Sequence, residues 1–571
     1  MGSTTADAET RASAPPLQSP QFWLYRNLPL RLVIPVALVA VASSLIAVIF
    51  DASAIVAAAI CAAVIVIALV PIRGASIARR LDEAITFRWR TFRNRSARVN
   101  QAPFDVPLPE GGAYGMRWDG SRLITMLRIE AHPRSVTLLS PQRLIADDMM
   151  PLTEIAHCLS QFDIDLASID VISTGARTAG SGAVSQAYER ILGPLPAVAH
   201  RTVWVVLRLD PLAIAAAVDR RGGGATGTLR SAIIATRRVA NRLAARGLTA
   251  SVLSAAEITA AVQQLVRHAP LDEFTETPRS VENNGIHYTT YRMAPEALGP
   301  RGFAAVWSTP TLATTVTMRL QRAPGQSAST PGAMGIEVTA VARFDTSDKP
   351  AEVDAPGLVP LPGKQFRALL YSLPVTARGL PFDPERYVGK PDSLADLPLP
   401  IAGCGQLIGA DSAGQGVALP LVGHHVRRVE IIGSLLVAQQ VILRAIALGA
   451  SVVVHTNRHE AWRQMVTDVD APQALILAAW SAASQQASAH RFANVVVYDG
   501  IAPSSHHSDA TVVLLRSAAL AEYAFDPEVT LTEDPTTTNL VTVRTAGETT
   551  TVHMVATPDE MRYLQSAVAI A

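Results

Sequence analysis

Residues 429–455 read VEIIGSLLVAQQVILRAIALGASVVVH. The short run at 429–432 is mostly β-branched, and Gly433 stops it. From 434 to 448 the pattern changes: Leu436, Gln439, Gln440, Leu443 and Ile446 recur at intervals of three and four, which predicts a helix. Residues 452–455 return to a strand pattern. Strand, helix and strand in succession are the unit of an α/β layer. Working outward, strands are predicted at 495–498 and 511–515. Antiparallel strands follow at 529–532, 540–544 and 550–555, then a short terminal helix. Upstream, the Asp119-Gly120 turn joins runs at 114–118 and 123–129 into a β-hairpin. Further strands are predicted at 135–139, 165–173, 202–209, 287–293, 314–320 and 335–343. Helical spacing marks 152–159, 228–246 and 255–268. Ten prolines between 350 and 400 separate the two patterned regions.

A chain of 571 residues and 60.6 kDa has room for two or three domains. Hydrophobic residues make up 49 % and charged residues 17 %, against roughly 25 % charged in typical soluble domains. This excludes a disordered chain. A net charge of +1 argues against a dedicated nucleic-acid binder, which needs a cationic surplus. Only Lys349, Lys364 and Lys390 are lysines among 49 basic residues, an arginine bias that matches the alanine-rich composition. Cys61, Cys158 and Cys404 are sparse and odd in number. They form no disulfide framework or metal spacing and fit a reducing compartment.

Mean hydropathy of +0.24 places part of the chain in lipid. Leu32 to Phe50 is 19 residues without a charge, and Ala52 to Ile72 is another 21, with Asp51 between. Each run reaches the ~20 residues a spanning helix needs, so the pair reads as a transmembrane hairpin. Ala52-Ser53-Ala54 has the form of a signal-peptidase site, but 19 apolar residues exceed the usual 7–15 of a signal peptide. Eight arginines between 73 and 98 face only Asp82 and Glu83. Basic flanks stay cytoplasmic, so both termini are expected there. Arg88, Arg90 and Arg93, interleaved with Phe87, Trp89 and Phe92, are expected at the anionic membrane surface. The expected organisation is therefore a disordered tail (1–28), the hairpin (29–73), an arginine-rich arm (74–108), a first α/β domain (109–345), a proline-rich connection (346–403) and a second α/β domain (404–571).

Gly433 stands between strand and helix, where a phosphate-binding loop would sit. That loop needs a lysine to reach the phosphates, and Ala438, Gln439 and Gln440 occupy the aligned positions. Asp499, after the run 495–498, has the placement of a magnesium-binding acid. The second domain therefore reads as a nucleotide-binding-like sheet without its catalytic parts. Arg220, Arg221, Gly222, Gly223 and Gly224 precede a helix and are a candidate anion or partner contact. Asp163 and Asp165 could hold a divalent ion, but two carboxylates alone rarely do. His424-His425 and His506-His507 have no metal-ligand spacing. No catalytic, cofactor or metal residue is assigned.

Several stretches resemble the EccE family of actinobacterial type VII (ESX) secretion membrane proteins. They are the hairpin with its arginine arm, 115–118 with 123–127, 187–196 with 201–204, 221–224, and 444–450 with 454–458 and Trp462. Where the family motif continues with Arg-Pro, this chain has His459 after Arg458. The resemblance implies a non-enzymatic subunit of an inner-membrane secretion core, with EccB, EccC and EccD and the mycosin protease as partners. The alternative from the residues alone is a membrane-anchored enzyme or sensor that binds a nucleotide or nucleotide-sugar.

Overall fold

The computed structural model describes residues 16–19, 30–72, 75–93, 102–131, 136–141, 143–145, 148–324, 335–375, 382, 384–423, 425–478, 493–503, 509–516 and 523–564. Most of the expected tail, Arg73, Arg95, Arg98, His424, His506 and His507 lie outside these residues. The fold is a mixed α/β architecture built on two large sheets, with an apolar helix near the N-terminus.

Among the described residues the first sheet has 13 strands, and every pairing in it is antiparallel. Its centre is four long strands, Ile336–Ser347, Ala313–Arg322, Ser168–Ala176 and His200–Leu209. The two-residue period of a strand divides them between two cores. Ile169 and Val171 face one core with Val203 and Val205, while Ile172 faces the other with Trp204 and Val206. Helix Gly224–Ala244 covers the first face through Ala232, Ala235, Val239 and Leu243. Helices Ala255–Leu265 and Gln365–Tyr371 cover the second through Ile258, Ala261, Leu369 and Leu370. Strands Phe104–Pro107, Leu358–Pro360 and Tyr387–Gly389 extend this sheet beyond 109–345.

The second sheet has 12 strands. Six run parallel, in the order Leu475–Leu477, Val452–Thr456, Val495–Asp499, Thr511–Leu515, Arg428–Ile432 and Val529–Glu533. They are short apolar runs buried on both faces, as parallel strands are. Helices Leu435–Ala447 and His459–Val469 pack on them through Val441, Ile442, Trp462 and Met465. The sheet then turns antiparallel and ends on Thr137–Ser140 and Arg143–Ile145. Those last two strands come from the first half of the chain, so the chain visits the second sheet early and returns to the first.

Of the two apolar runs, only the first forms a helix long and apolar enough to cross a membrane among the described residues, Leu32–Ile49 within Leu30–Ile49. The second is helical only over Ala54–Leu69, 16 residues, or about 24 Å at 1.5 Å per residue. Val70 is extended at ψ 127° because it precedes Pro71, which disfavours the α region for its neighbour. Asp51, at φ 59°, makes the turn between them. Leu32, Val36, Ala40 and Ala57 are the buried positions of the pair. Ser43 satisfies its hydroxyl on the Ala40 carbonyl at 2.9 Å.

Within the expected tail, residues 16–19 are held against the first sheet. The Gln18 N–H donates to the Val388 carbonyl at 2.9 Å and the Val388 N–H returns a bond at 2.7 Å.

Candidate functional site

The parallel strands place both nucleotide-site candidates at their C-terminal ends, on one side of the second sheet. Strand Arg428–Ile432 passes through Gly433 into helix Leu435–Ala447, whose cap Ser434 accepts from the Val437 N–H at 3.4 Å. The Ser434 N–H donates to Glu533 Oε2 at 2.5 Å. Glu533 ends the adjacent parallel strand, so a carboxylate of the chain itself sits at the helix N-terminus, where a bound anion would be stabilised. A Cβ at Gly433 would lie 2.7 Å from the Glu533 side chain, and glycine permits that approach. Ala438, Gln439 and Gln440 are all buried. Gln439 Nε2 donates to the Ala461 carbonyl at 2.8 Å, and Gln440 Nε2 to Glu560 at 3.0 Å. Arg444, one turn on, joins Glu560 at 2.8 Å and the Leu407 and Ile408 carbonyls at 3.0 and 2.8 Å.

Asp499 is fully buried at the end of strand Val495–Asp499. Oδ2 accepts from Thr456 Oγ1 at 2.8 Å, Trp462 Nε1 at 3.0 Å and Arg458 Nε at 3.2 Å, and Oδ1 accepts from Arg458 Nη2 at 2.5 Å. Four donors saturate the carboxylate. It ties strand Val452–Thr456 to helix His459–Val469, and Trp462 is the large side chain that fills the space beneath it.

The glycine loop and the Asp163-Ile164-Asp165 pair were singled out separately, and the structure brings them together. Asp163 accepts from Arg220 Nη2 at 2.9 Å and from Arg221 Nη1 and Nη2 at 2.7 and 2.9 Å. Arg221, then Arg220, hold its carboxyl far below the usual aspartate range. Asp165 is engaged by Ser160 Oγ at 2.7 Å and Arg322 at 2.8 Å. Gly222, Gly223 and Gly224 have φ of 107°, 65° and 51°, and the helix begins at Gly224, four residues before the sequence pattern implied. Among the described residues no group of three or more His, Cys, Asp or Glu could hold a metal ion.

Sequence reasoning missed the ion cluster inside the first sheet. Asp170 is fully buried and accepts from Arg208 Nε at 2.9 Å and from Arg319 Nε and Nη2 at 2.7 and 2.8 Å. Arg208 also reaches Asp119 at 2.8 Å, and Arg319 lies 4.0 Å from the centre of the Tyr371 ring. Burial alone would raise the Asp170 carboxyl, but the Arg319 and Arg208 charges hold it down to about 2. The available signal was Asp170 in the middle of the strand pattern at 165–173, five residues after Asp165. The Cys158 and Cys404 thiols are pushed up to about 11 by burial, which makes them poor nucleophiles.

Helix Ile77–Arg93 carries Arg88, Arg90 and Arg93. Its exposed Ile77, Leu81 and Ile85 recur every four residues on one side. A cavity of about 350 Å³ separates this side from the apolar pair, lined by Val36, Val39, Val64, Ala68, Leu81 and Ile85 among others.

Residues 197–293 match the family model of EccE, described as a type VII ESX secretion system translocon protein. The chain is 29 % identical over 170 residues to the ESX-1 secretion system protein EccE1 of Mycobacterium tuberculosis, covering 29 % of this chain and 37 % of the relative. It is 24 % identical over 348 residues to the ESX-2 secretion system protein EccE2 of the same species, covering 60 % of each. It is 24 % identical over 274 residues to the ESX-5 secretion system protein EccE5 of Mycobacterium marinum, covering 46 % and 64 %. The matches thus span between about a third and two thirds of these relatives' lengths. EccE proteins are components of ESX secretion systems and not a known enzyme family. The family model over residues 197–293 and these three relatives support an EccE-family protein.

Proposed function

We propose that the chain is a structural, non-enzymatic subunit of the inner-membrane core of an ESX secretion system. Its work is to support assembly of that core with EccB, EccC and EccD, and with the mycosin protease. The observation that carries the non-enzymatic part is the occupation of the C-terminal ends of the second sheet's parallel strands. Glu533 caps the helix where a phosphate would bind, and Asp499 is consumed by Thr456, Arg458 and Trp462. The chain divides into the membrane-proximal segment and two cytoplasmic α/β units, the second nucleotide-binding-like in strand order only. The loop Arg220–Gly224 is read as a partner contact, because both of its arginines are already engaged by Asp163.

The apolar pair is proposed to cross the inner membrane twice, with both termini in the cytoplasm. The Gln18–Val388 pairing supports this. Gln18 precedes the first apolar helix and Val388 follows the second, so a single crossing would put the two on opposite sides of the bilayer. The exposed stripe Ile77, Leu81 and Ile85 then lies in the leaflet surface, with Arg88, Arg90 and Arg93 among the headgroups. The test is purification of the full chain in mild detergent from its native cells, with mass spectrometry of what elutes. Stoichiometric recovery of other ESX membrane subunits, without ATP hydrolysis by the chain alone, is expected. Elution of the chain by itself, or turnover that Asp499→Ala abolishes, refutes the reading.

A further inference from the structure

The short hairpin formed by Ser160–Gln161 and Ile164–Asp165 carries Phe162 at its tip. Phe162 is 94 % exposed and has φ 60°. That left-handed conformation is sterically disfavoured for a bulky side chain, and an aromatic ring in water adds nothing to a core. Such a residue persists only where its surroundings over-determine it. Here they do so from three elements. Arg220 and Arg221 grip Asp163, Arg322 grips Asp165, and Arg238 donates to the Gln161 carbonyl at 3.0 Å with its guanidinium 5.0 Å from the Phe162 ring centre.

The ground around the ring is cationic. Helix Gly224–Ala244 carries Arg230, Arg237, Arg238 and Arg242 and no acid of its own; Glu110 pairs with Arg237 and Glu154 with Arg242, while Arg230 and Arg238 bond only backbone carbonyls among the described residues, so the uncompensated charge is on those two. Arg230 donates to the carbonyl of Arg221. Exposed Leu212 follows strand His200–Leu209, which pairs with the strand that leaves the hairpin, so a second apolar side chain stands at the same end of the sheet.

We propose that Phe162, with Leu212 and the surrounding arginines, is a docking surface for a partner protein that offers an apolar pocket within an acidic rim. An exposed aromatic framed by arginine is the chemistry of an interface hot spot. Pre-organisation by the arginine clamp lowers the ordering cost of binding. Charge complementarity selects an acidic partner over a second copy of this chain, because a two-fold contact would set this cationic face against itself. The inference does not rest on the secretion reading: a charge-sensitive contact stands even if the chain elutes with no export component.

The test puts the photo-crosslinker p-benzoylphenylalanine at position 162 of the full chain in its native cells. Illumination is expected to give an adduct with a different protein, mapped to a segment with acidic residues beside apolar ones. Arg230→Glu with Arg237→Glu, which keeps Arg220, Arg221, Arg238 and Arg322 in place, lowers the adduct yield at least fivefold. Phe162→Gly in the full chain leaves the melting temperature unchanged or raises it, because glycine accepts φ 60° freely. Adducts only with this chain or with lipid, or a yield indifferent to the charge reversals, overturn the proposal. So does a fall of several degrees in Phe162→Gly, which would give the ring a role in the fold instead.

Discussion

Replacing Asp499 with alanine separates a structural carboxylate from a catalytic one. The side chain is fully buried, and two of its donors are buried with it, the Trp462 indole N–H at 3.0 Å and the Thr456 hydroxyl at 2.8 Å. Each donor left without a partner costs about 1–3 kcal/mol. Arg458 is 44 % exposed at its side chain, so it turns to water and its ion pair adds little. The expected loss is therefore about 2–6 kcal/mol, which lowers the unfolding transition of the second unit by roughly 4–24 °C for a domain of 150–250 residues. The assay is urea unfolding of the full chain in mild detergent, with hydrogen exchange followed over 452–499. Asp499→Asn keeps an acceptor and should lose about half as much. In a Trp462→Phe background one donor is already gone, so Asp499→Ala should cost about 1–2 kcal/mol less than in the parent. A loss under about 0.5 kcal/mol, at the level of an ordinary surface change, refutes the structural role.

Other outcomes follow from the same geometry. Asp51→Cys should react with a membrane-impermeant thiol reagent in intact cells while a cysteine at the exposed Glu352 should not; labelling of Glu352→Cys overturns the orientation, and buried Cys158 and Cys404 contribute little background. Ala57→Leu should open the apolar pair, because Ala57 is one of its buried positions, whereas Ala58→Leu with Ala62→Leu alters exposed positions and should affect only assembly with neighbours, as read on native gels. Neutralising Arg88, Arg90 and Arg93 to glutamine should lower retention on vesicles of anionic lipid, by about 1 kcal/mol per arginine near the surface. Asp170 has its carboxyl held down to about 2 in the folded chain against about 3.9 unfolded, so its contribution is complete above pH ~4 and disappears as pH falls towards 2; an acid-unfolding midpoint that Asp170→Asn leaves unmoved contradicts this.

The local patterns in the chain were legible, and the distant pairings were not. The strand, helix and strand at 429–455 stand where their spacing put them, because apolar period is a local property. The direction of the strands was not readable: the first sheet is wholly antiparallel although helices alternate with its strands. The two apolar runs were visible, but Pro71 shortened the second helix through its effect on Val70. Gly433 and Asp499 were found by their place after strands, yet what disarms them comes from afar. Glu533 lies 99 residues beyond Ser434, and Trp462 reaches Asp499 across 37. Asp163 and the arginines at 220 and 221 are separate candidates in the sequence, and only the fold shows that both arginines close on the one carboxylate. Phe162 left no mark, since a left-handed turn residue that is not glycine has no pattern in sequence.

The return of residues 137–145 to the second sheet sets an order on synthesis. Strand Thr137–Ser140 pairs with Gly416–Leu419, whose codons are read some 270 residues later. At roughly 5–20 residues per second, that hairpin waits about 15–50 s with an unpaired edge. A ribosome-bound chain is therefore exposed to wrong strand partners for about half of its translation, and a holding chaperone has a defined target there. The same arrangement makes the second unit inseparable by simple cutting. A fragment starting at 404 lacks its two terminal strands, and supplying 137–145 as a separate peptide should restore what the cut removes.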